Sequence, residues 1–167
     1  NHLNSIDKNP TDKIDKQGTY PVEIRTLEKL DFSMWLKLYE FYAEHYEVKL
    51  TPEGVKTTWS WLMDEAHPTI GLIAIDKGEF VGLVHFRAMP SPLRGENLGF
   101  IDDIVVKPTK RNKGIAKKLI NAVKAHGINS NWKLVRWITR DNNYQARAVY
   151  DKLSEKSDWN VYELKCF

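Results

Sequence analysis

The sequence predicts a single mixed α/β (α+β) domain, in which helices cover both faces of a mostly antiparallel sheet. Short segments rich in β-branched residues alternate with segments whose apolar residues recur every three or four positions. Two of the strands are joined by a tight turn, Lys77-Gly78, which is typical of an antiparallel hairpin. The chain has 167 residues, 42% of them hydrophobic, and is long enough to bury a core within one domain.

The first half of the chain is predicted to form a strand, two helices and a hairpin. Residues 1–19 are polar and lack periodicity, so they are interpreted as a flexible tail, and the domain is assigned to residues 20–167. Asp31 is expected to cap a helix that ends near Tyr46. Thr51, followed by proline, is expected to cap a second helix of about three turns. The strands in this half are expected at residues 20–26, 69–76 and 79–89.

The second half is predicted to continue as strand, helix, strand, helix and strand after a loop rich in proline and glycine. The expected helix that starts at Ile115 should stop at His126-Gly127, because glycine is a common C-cap. The loop is placed at residues 91–96, the strands at 100–106, 133–139 and 160–165, and the helices at 115–125 and from 143 onwards. The complete predicted order is βααβββαβαβ.

A basic turn separates the strand at residues 100–106 from the helix that follows it. The first N–H groups of a helix lack intrahelical partners and lie at the positive end of the helix dipole, so they favour an anion. Asn112 and Gly114 both tolerate positive φ, and neighbouring lysine and arginine side chains add positive charge. The spacing fits neither a P-loop nor a dinucleotide fingerprint. An ordinary solvated basic turn is the alternative interpretation.

Residues 106–116, VKPTKRNKGIA, resemble the acetyl-CoA pyrophosphate loop of the GNAT N-acetyltransferase superfamily. The loop of that family has the core pattern [QR]-x-x-G-x-[GA] between its fourth strand and third helix, and Arg111, Gly114 and Ala116 match it. One departure is Asn112, which stands where the family usually has glycine. Because asparagine also adopts the left-handed region, this change is compatible with the loop.

A second segment, residues 143–150 with the sequence NYQARAVY, resembles another part of the family's site. There the asparagine contacts the pantetheine arm and the tyrosine hydroxyl faces the thioester sulfur. The spacing places Asn143, Ala146 and Tyr150 on one helix face. In isolation, Asn143 could be a simple N-cap and Tyr150 a core aromatic.

Together the two segments imply acetyl-CoA as a co-substrate. The residues that this resemblance assigns to acetyl-CoA are Ile104, Val105, Val106, Arg111, Asn112, Lys113, Gly114, Ile115, Ala116, Lys117, Asn143 and Tyr150. Backbone N–H groups around Val105 and Val106 are expected to hold the carbonyl oxygen, and Tyr150 is expected to protonate the departing sulfur. No metal is expected, because the five histidines show no metal-ligand spacing.

Residues 100–106, FIDDIVV, resemble the L-E-D-x-x-V strand of spermidine/spermine-type members of the family, with Asp102 at the glutamate position. Asp102 is therefore the candidate for amine binding and proton removal, either directly or through a water, because aspartate is one methylene shorter than glutamate. Strand alternation predicts that Asp102 shares a face with Ile104, whereas Asp103 lies on the opposite face. The alternative for Asp102 is a strand-end carboxylate that is bonded to nearby backbone.

The resemblance implies an acetyl-CoA-dependent N-acetyltransferase whose acceptor is a small primary amine or polyamine, attacking directly in a ternary complex. Residues 39–47 mix tyrosines and glutamates at the end of the first helix, which suits a cationic acceptor. These residues could equally be a core stripe with a solvated acidic face. The other functions considered are a protein lysine or N-terminal acetyltransferase and a non-catalytic acyl-CoA-binding domain.

The composition of the chain limits the classes of partner and the cellular compartment that are expected for it. The net charge is only +3 with both signs mixed along the chain, which argues against a dedicated nucleic-acid binder. The single cysteine, Cys166, has no internal partner, so a cytoplasmic location is expected. No apolar run is long enough for a membrane helix, so no membrane partner is expected. A homodimer is common in the family and stays an open expectation.

Overall fold

The computed structural model describes residues 21–167, so the predicted tail at 1–19 lies outside the described residues. The strands are β1 (Glu23–Thr26), β2 (Ile70–Asp76), β3 (Glu79–Ser91), β4 (Glu96–Val106) and β5 (Val135–Trp137), and the helices are α1 (Phe32–His45), α2 (Pro52–Met63), α3 (Ile115–Asn129) and α4 (Tyr144–Leu153). Short 3-10 turns cover Lys29–Asp31 and Pro108–Lys110. The chain divides into two compact units, one ending at Trp137 and the other comprising Ile138–Phe167.

The five strands form one sheet in the order β1-β2-β3-β4-β5. Every neighbouring pair is antiparallel except β4 and β5, which are parallel and pair only over Gly99–Ile101 and Val135–Trp137. The Lys77-Gly78 hairpin has positive φ at both residues, as a two-residue turn between twisted strands requires. The predicted fold class, a mixed and mostly antiparallel sheet with flanking helices, is confirmed.

Helices cover both faces of the sheet around β3, whose residues 81–86 are all buried. On one face, Leu83 belongs to a core cluster with Trp35 of α1. On the other face lies α3, which packs so closely on β3 that a Cβ at Gly82 would be 3.1 Å from the side chain of Ile115. A strand that is buried on both faces is expected to be apolar along its length rather than alternating, and residues 81–86 are apolar except for His85.

The cap of α2 is the one that the sequence predicts. Thr51 has an extended backbone, and its Oγ1 accepts a 3.0 Å hydrogen bond from the N–H of Gly54. We expect Thr51→Ala to lower the free energy of unfolding by about 1 kcal/mol, since an orphan N–H loses its partner. Urea denaturation measures this difference. Ser60→Ala, which removes a hydroxyl that only contacts the Thr57 carbonyl of the same helix, is the control and should cost less.

The predicted end of α3 at His126-Gly127 is wrong, because the helix continues to Asn129 and is capped at Ser130. Gly127 is a buried residue within the helix rather than its C-cap. A Cβ there would lie 3.1 Å from the ring of Trp132, so glycine is needed for close approach and not for a stop signal. The N–H of Trp132 returns to the Gly127 carbonyl at 2.8 Å, which fixes the chain after the helix.

The predicted final strand at residues 160–165 is also wrong. Residues 155–167 form neither helix nor strand, and Trp159, Tyr162 and Leu164 are largely exposed. The alternating apolar pattern of this segment satisfies the side-chain requirement of a strand, but a strand also needs a neighbouring backbone for its hydrogen bonds. The observed order thus ends with α4, which begins after Asn143 as predicted.

Candidate active site

The loop between β4 and α3 has the backbone conformation that the sequence predicts for an anion site. Asn112 and Gly114 both lie in the left-handed region, with φ of 63° and 76°. Gly114 is the N-cap of α3 and has no side chain with which to cap the helix. The first intrahelical bond is donated by the Lys118 N–H to the Gly114 carbonyl at 3.1 Å. The three preceding amides have no intrahelical acceptor and belong to Ile115, Ala116 and Lys117.

The loop has four basic side chains, of which two form ion pairs and two do not. Lys107 and Lys110 both contact the carboxylate of Glu79 on β3, Lys110 at 3.5 Å. Arg111 and Lys113 are exposed, and neither has an ion-pair partner among residues 21–167. Two exposed cations beside the helix N-terminus suit an anionic ligand such as a pyrophosphate.

A gap opens beside β4 where its pairing with β5 stops after Ile101. Within the described part of the chain, no strand pairs with residues 102–106 on the side away from β3. The N–H of Lys107 donates to the Val81 carbonyl of β3 at 2.8 Å. In an antiparallel pair, the N–H groups of successive residues point alternately toward and away from the neighbouring strand. The Val105 N–H therefore points to β3, whereas those of Ile104 and Val106 point into the gap. This corrects the expectation that the Val105 N–H helps to hold a carbonyl oxygen.

Asp102 occupies a β-bulge in β4. Asp103 pairs with His85 and Ile101 pairs with Phe86, so Asp102 has no partner of its own on β3. The expectation that Asp102 and Asp103 lie on opposite faces is wrong, because a bulge breaks strict alternation. Both carboxylates instead reach partners on the α1 side of the sheet. Asp102 accepts hydrogen bonds from Nε of Arg87 at 3.0 and 3.3 Å, and its side chain is about one-third exposed.

Asp103 is the more buried carboxylate and is held by three side-chain hydrogen bonds. His85 Nδ1 lies 2.8 Å and the Tyr39 hydroxyl 2.9 Å from its Oδ2, and Tyr42 also hydrogen-bonds to it. Burial alone would raise the pKa of Asp103, but the hydrogen bond and the attraction of His85, together with the hydrogen bonds from Tyr42 and Tyr39, outweigh burial and lower it. Burial and the nearby Asp103 charge raise the pKa of both tyrosines, so they remain neutral donors.

The cluster of His85, Asp103 and Tyr39 is not among the sites that the sequence predicts. A signal existed, because His85 interrupts the apolar run of β3 at a position that faces the core. A polar side chain at such a position requires a buried partner. His85 is only 2% exposed, and both of its ring nitrogens are hydrogen-bonded.

Asn143 and Tyr150 lie in the C-terminal unit. Asn143 is the N-cap residue of α4, although its side chain bonds to Thr139 Oγ1 at 3.3 Å rather than to the helix. Asn143, Ala146 and Tyr150 are all partly buried and share one face of the helix, as the spacing predicts. Their roles toward acetyl-CoA stay predictions.

Residues 21–167 contain neither a membrane-spanning helix nor a group of metal ligands. No helix there combines the length and apolar character needed to cross a bilayer. Within the same residues, no three His, Cys, Asp or Glu side chains are grouped as metal ligands.

Comparison with known proteins identifies the family. The model of the acetyltransferase (GNAT) family matches residues 35–154. The D-amino-acid N-acetyltransferase HPA3 of Saccharomyces cerevisiae is 26% identical over 144 residues, which cover 85% of this chain and 89% of that protein. An uncharacterized N-acetyltransferase of Bacillus subtilis, YhfO, is 25% identical over 82% of this chain and 91% of its own length.

Solved structures show the same fold. The ribosomal-protein-alanine N-acetyltransferase from Brucella melitensis biovar Abortus 2308 has a TM-score of 0.74 and 25% identity, over 87% of this chain and 99% of that chain. The aminoglycoside N-acetyltransferase AAC(6')-Iy, solved with CoA, has a TM-score of 0.73 at 20% identity, over 88% of this chain and 96% of that chain. The chain therefore belongs to the GNAT family of acetyltransferases and is an acetyl-CoA-dependent N-acetyltransferase.

Proposed function

We propose that the acceptor is a small primary amine, such as a diamine or polyamine, which attacks acetyl-CoA directly in a ternary complex. The observation that carries this proposal is the partly exposed carboxylate of Asp102 at the β4 bulge. It lies two residues before Ile104, the first residue whose N–H points into the gap beside β4. A carboxylate attracts an ammonium group, and the adjacent N–H suits an oxyanion.

The loop before α3 fits the pyrophosphate of acetyl-CoA. The amides of Ile115, Ala116 and Lys117 lie at the positive end of the helix, and the side chains of Arg111 and Lys113 supply two cations. Asn112 and Gly114 hold the left-handed turn that exposes these amides. Bound acetyl-CoA supplies a thioester carbonyl and a thiolate leaving group.

Aminolysis requires a neutral amine and a stabilised oxyanion. An alkylamine has a pKa near 10 in water, so it arrives as an ammonium ion that Asp102 can attract. A water relays the proton to Asp102. When it accepts the proton, Asp102 gives up one of its two hydrogen bonds from Arg87. The N–H of Ile104, the first to point into the gap, holds the oxygen as negative charge develops on it. The N–H of Val106 lies about 7 Å further along the strand and does not reach the same atom.

Tyr150 is assigned to the departing sulfur. A phenol with an ordinary pKa of about 10 can donate a proton to a thiolate, whose conjugate acid has a pKa of about 8.5, because the transfer is coupled to leaving-group departure. The position of Tyr150 on the partly buried face of α4 is compatible with this role. Asn143, one turn before Ala146 on that face, is assigned to the pantetheine arm.

Thiol release from acetyl-CoA with a panel of acceptors tests this function. We expect release with diamines and polyamines, and less with amino acids, aminoglycosides and peptides. Asp102→Asn should lower kcat/KM for a diamine by about 10²-fold or more, because proton acceptance is lost. Asp76→Asn, at the end of β2 and away from the bulge, is the control and should retain activity. Undiminished turnover by Asp102→Asn would contradict the assignment of Asp102.

A peptide or protein amine is the second candidate acceptor. A groove of about 680 Å³ runs between α1 and α2, with an apolar lining that includes Leu36, Val55 and Trp59. Glu40 and Lys56 also line it, so both charges are available to a peptide. Release with lysine or N-terminal peptides, and not with small amines, would establish this candidate in place of the first.

A further inference from the structure

A carboxylate on β3 lies beside the segment through which the chain passes from β4 to the loop before α3. Glu79 is the first residue of β3, and its Oε1 contacts Nζ of Lys107, whereas its Oε2 lies 3.5 Å from Nζ of Lys110. The hydrogen bond from Lys107 lowers the pKa of Glu79, so the carboxylate is ionised at neutral pH. Each oxygen of one carboxylate thus has its own ammonium partner.

The two lysines lie at the two ends of a single 3-10 turn. Lys107 is the N-cap of this turn and Lys110 is its last residue, and the N–H of Lys110 donates to the Lys107 carbonyl at 2.8 Å. Because a 3-10 helix has three residues per turn, side chains three positions apart lie on the same side. Both ammonium groups can therefore reach one carboxylate, and Glu79 bridges the ends of the turn.

This turn determines the direction in which the chain leaves the sheet. Before it, the N–H of Lys107 still donates to the Val81 carbonyl of β3. After it comes Arg111, whose extended backbone (φ −69°, ψ 160°) leads to the left-handed residues Asn112 and Gly114. The position of the loop relative to β4 therefore depends on the geometry of the turn that Glu79 bridges.

We propose that Glu79 is a positioning residue for acetyl-CoA, which keeps the 3-10 turn closed and so places Arg111 and the start of α3 for the pyrophosphate. This inference rests on the proposed function, since it assumes that the loop before α3 binds that group. Glu79 acts through Lys107 and Lys110 rather than by contact with the ligand. Its effect is to reduce the conformational entropy that the loop loses on binding.

A purely electrostatic effect of Glu79 would have the opposite sign. The ligand is an anion, so a carboxylate near its site repels it and also neutralises two nearby cations. If charge alone mattered, Glu79→Gln would release both lysines and bind CoA more tightly. If Glu79 positions the loop, the same substitution loosens the turn and binds CoA more weakly. The direction of the change therefore distinguishes the two effects.

Isothermal titration calorimetry with CoA measures this binding without an acceptor amine. We expect Glu79→Gln to raise the Kd of CoA about threefold or more, the scale for loss of two partly exposed ion pairs. Glu96→Gln is the matched control, because it makes the same chemical change at the opposite end of β4. It should leave the Kd unchanged.

Sodium chloride provides a second measurement that a change in packing would not affect. Salt screens partly exposed ion pairs, and the Debye length falls to about 3 Å at 1 M. The ratio of the Kd of Glu79→Gln to that of the wild type should therefore fall toward one at 1 M NaCl. A ratio that stays constant with salt would overturn the inference, because the substitution would then act through packing.

The outcomes separate the two proposals. Weaker CoA binding by Gly114→Val, together with unchanged or tighter binding by Glu79→Gln, would overturn the role of Glu79 and leave the assignment of the loop in place. Unchanged binding by Gly114→Val would overturn the assignment of the loop and this inference with it, whatever the result for Glu79→Gln. Thermal unfolding of each variant confirms that folded proteins are compared.

Discussion

Replacing Gly114 by valine is expected to raise the KM for acetyl-CoA at least about tenfold, with a smaller effect on the KM of the amine. Gly114 has a φ of 76°, which a β-branched residue adopts only at a cost of about 1–3 kcal/mol. The helix start can relieve this strain by leaving the left-handed conformation. The amides at the start of α3 would then no longer converge on one anion. Initial rates at varied acetyl-CoA measure the effect.

The chain offers a matched control at Gly78. Its φ is 79°, and a Cβ at Gly78 or at Gly114 would meet nothing within 4 Å. Gly78→Val therefore introduces similar strain in the β2–β3 hairpin, away from the loop before α3. It should lower the free energy of unfolding by a similar amount and leave the KM for acetyl-CoA unchanged. Equal KM changes in the two variants would show that Gly114 acts through stability alone.

Tyr150→Phe is expected to lower kcat by about 10²- to 10⁴-fold, the range for removal of a general acid. Phenylalanine preserves the ring on the partly buried face of α4, so the loss concerns the hydroxyl. The KM for acetyl-CoA should change much less, because binding energy comes mainly from the pyrophosphate loop in this mechanism. Steady-state kinetics at saturating acetyl-CoA separate the two parameters.

Tyr144→Phe is the control for this experiment. Tyr144 lies on the same helix but is 73% exposed, so loss of its hydroxyl should leave kcat within about twofold of wild type. A kcat for Tyr150→Phe that equals that of wild type, with the amine saturating and across the pH range, would contradict the assignment of Tyr150 as the acid.

The pyrophosphate loop could be predicted from the sequence because its requirements are local. Left-handed backbone at Asn112 and Gly114, and the helix that follows, depend on residue types within one short segment. The same holds for the Thr51 cap and the Lys77-Gly78 turn, which the structure confirms. In each case the interaction that decides the conformation is made between near neighbours in the chain.

The β4 bulge could not be predicted, because it is a property of two strands together. Alternation within residues 100–106 predicts opposite faces for Asp102 and Asp103, and only the pairing of Phe86 with Ile101 reveals the extra residue. The contact of His85 with Asp103 likewise joins residues 18 positions apart. The prediction of a strand at 160–165 was wrong for the same reason, because the pattern of side chains does not specify a pairing partner.

Because β3 is buried on both faces, substitutions in this strand should change the amount of folded enzyme in a cell. Between Val81 and Val84 the strand contributes packing but no group that the mechanism uses. Changes there would reduce the amount of folded enzyme in a cell and leave the turnover of each surviving molecule intact. Changes in the loop before α3, such as Gly114→Val, would lower the affinity for acetyl-CoA in addition to any loss of stability. Substitutions in β3 can thus lower the abundance of the enzyme alone, whereas substitutions in the loop also lower the specific activity.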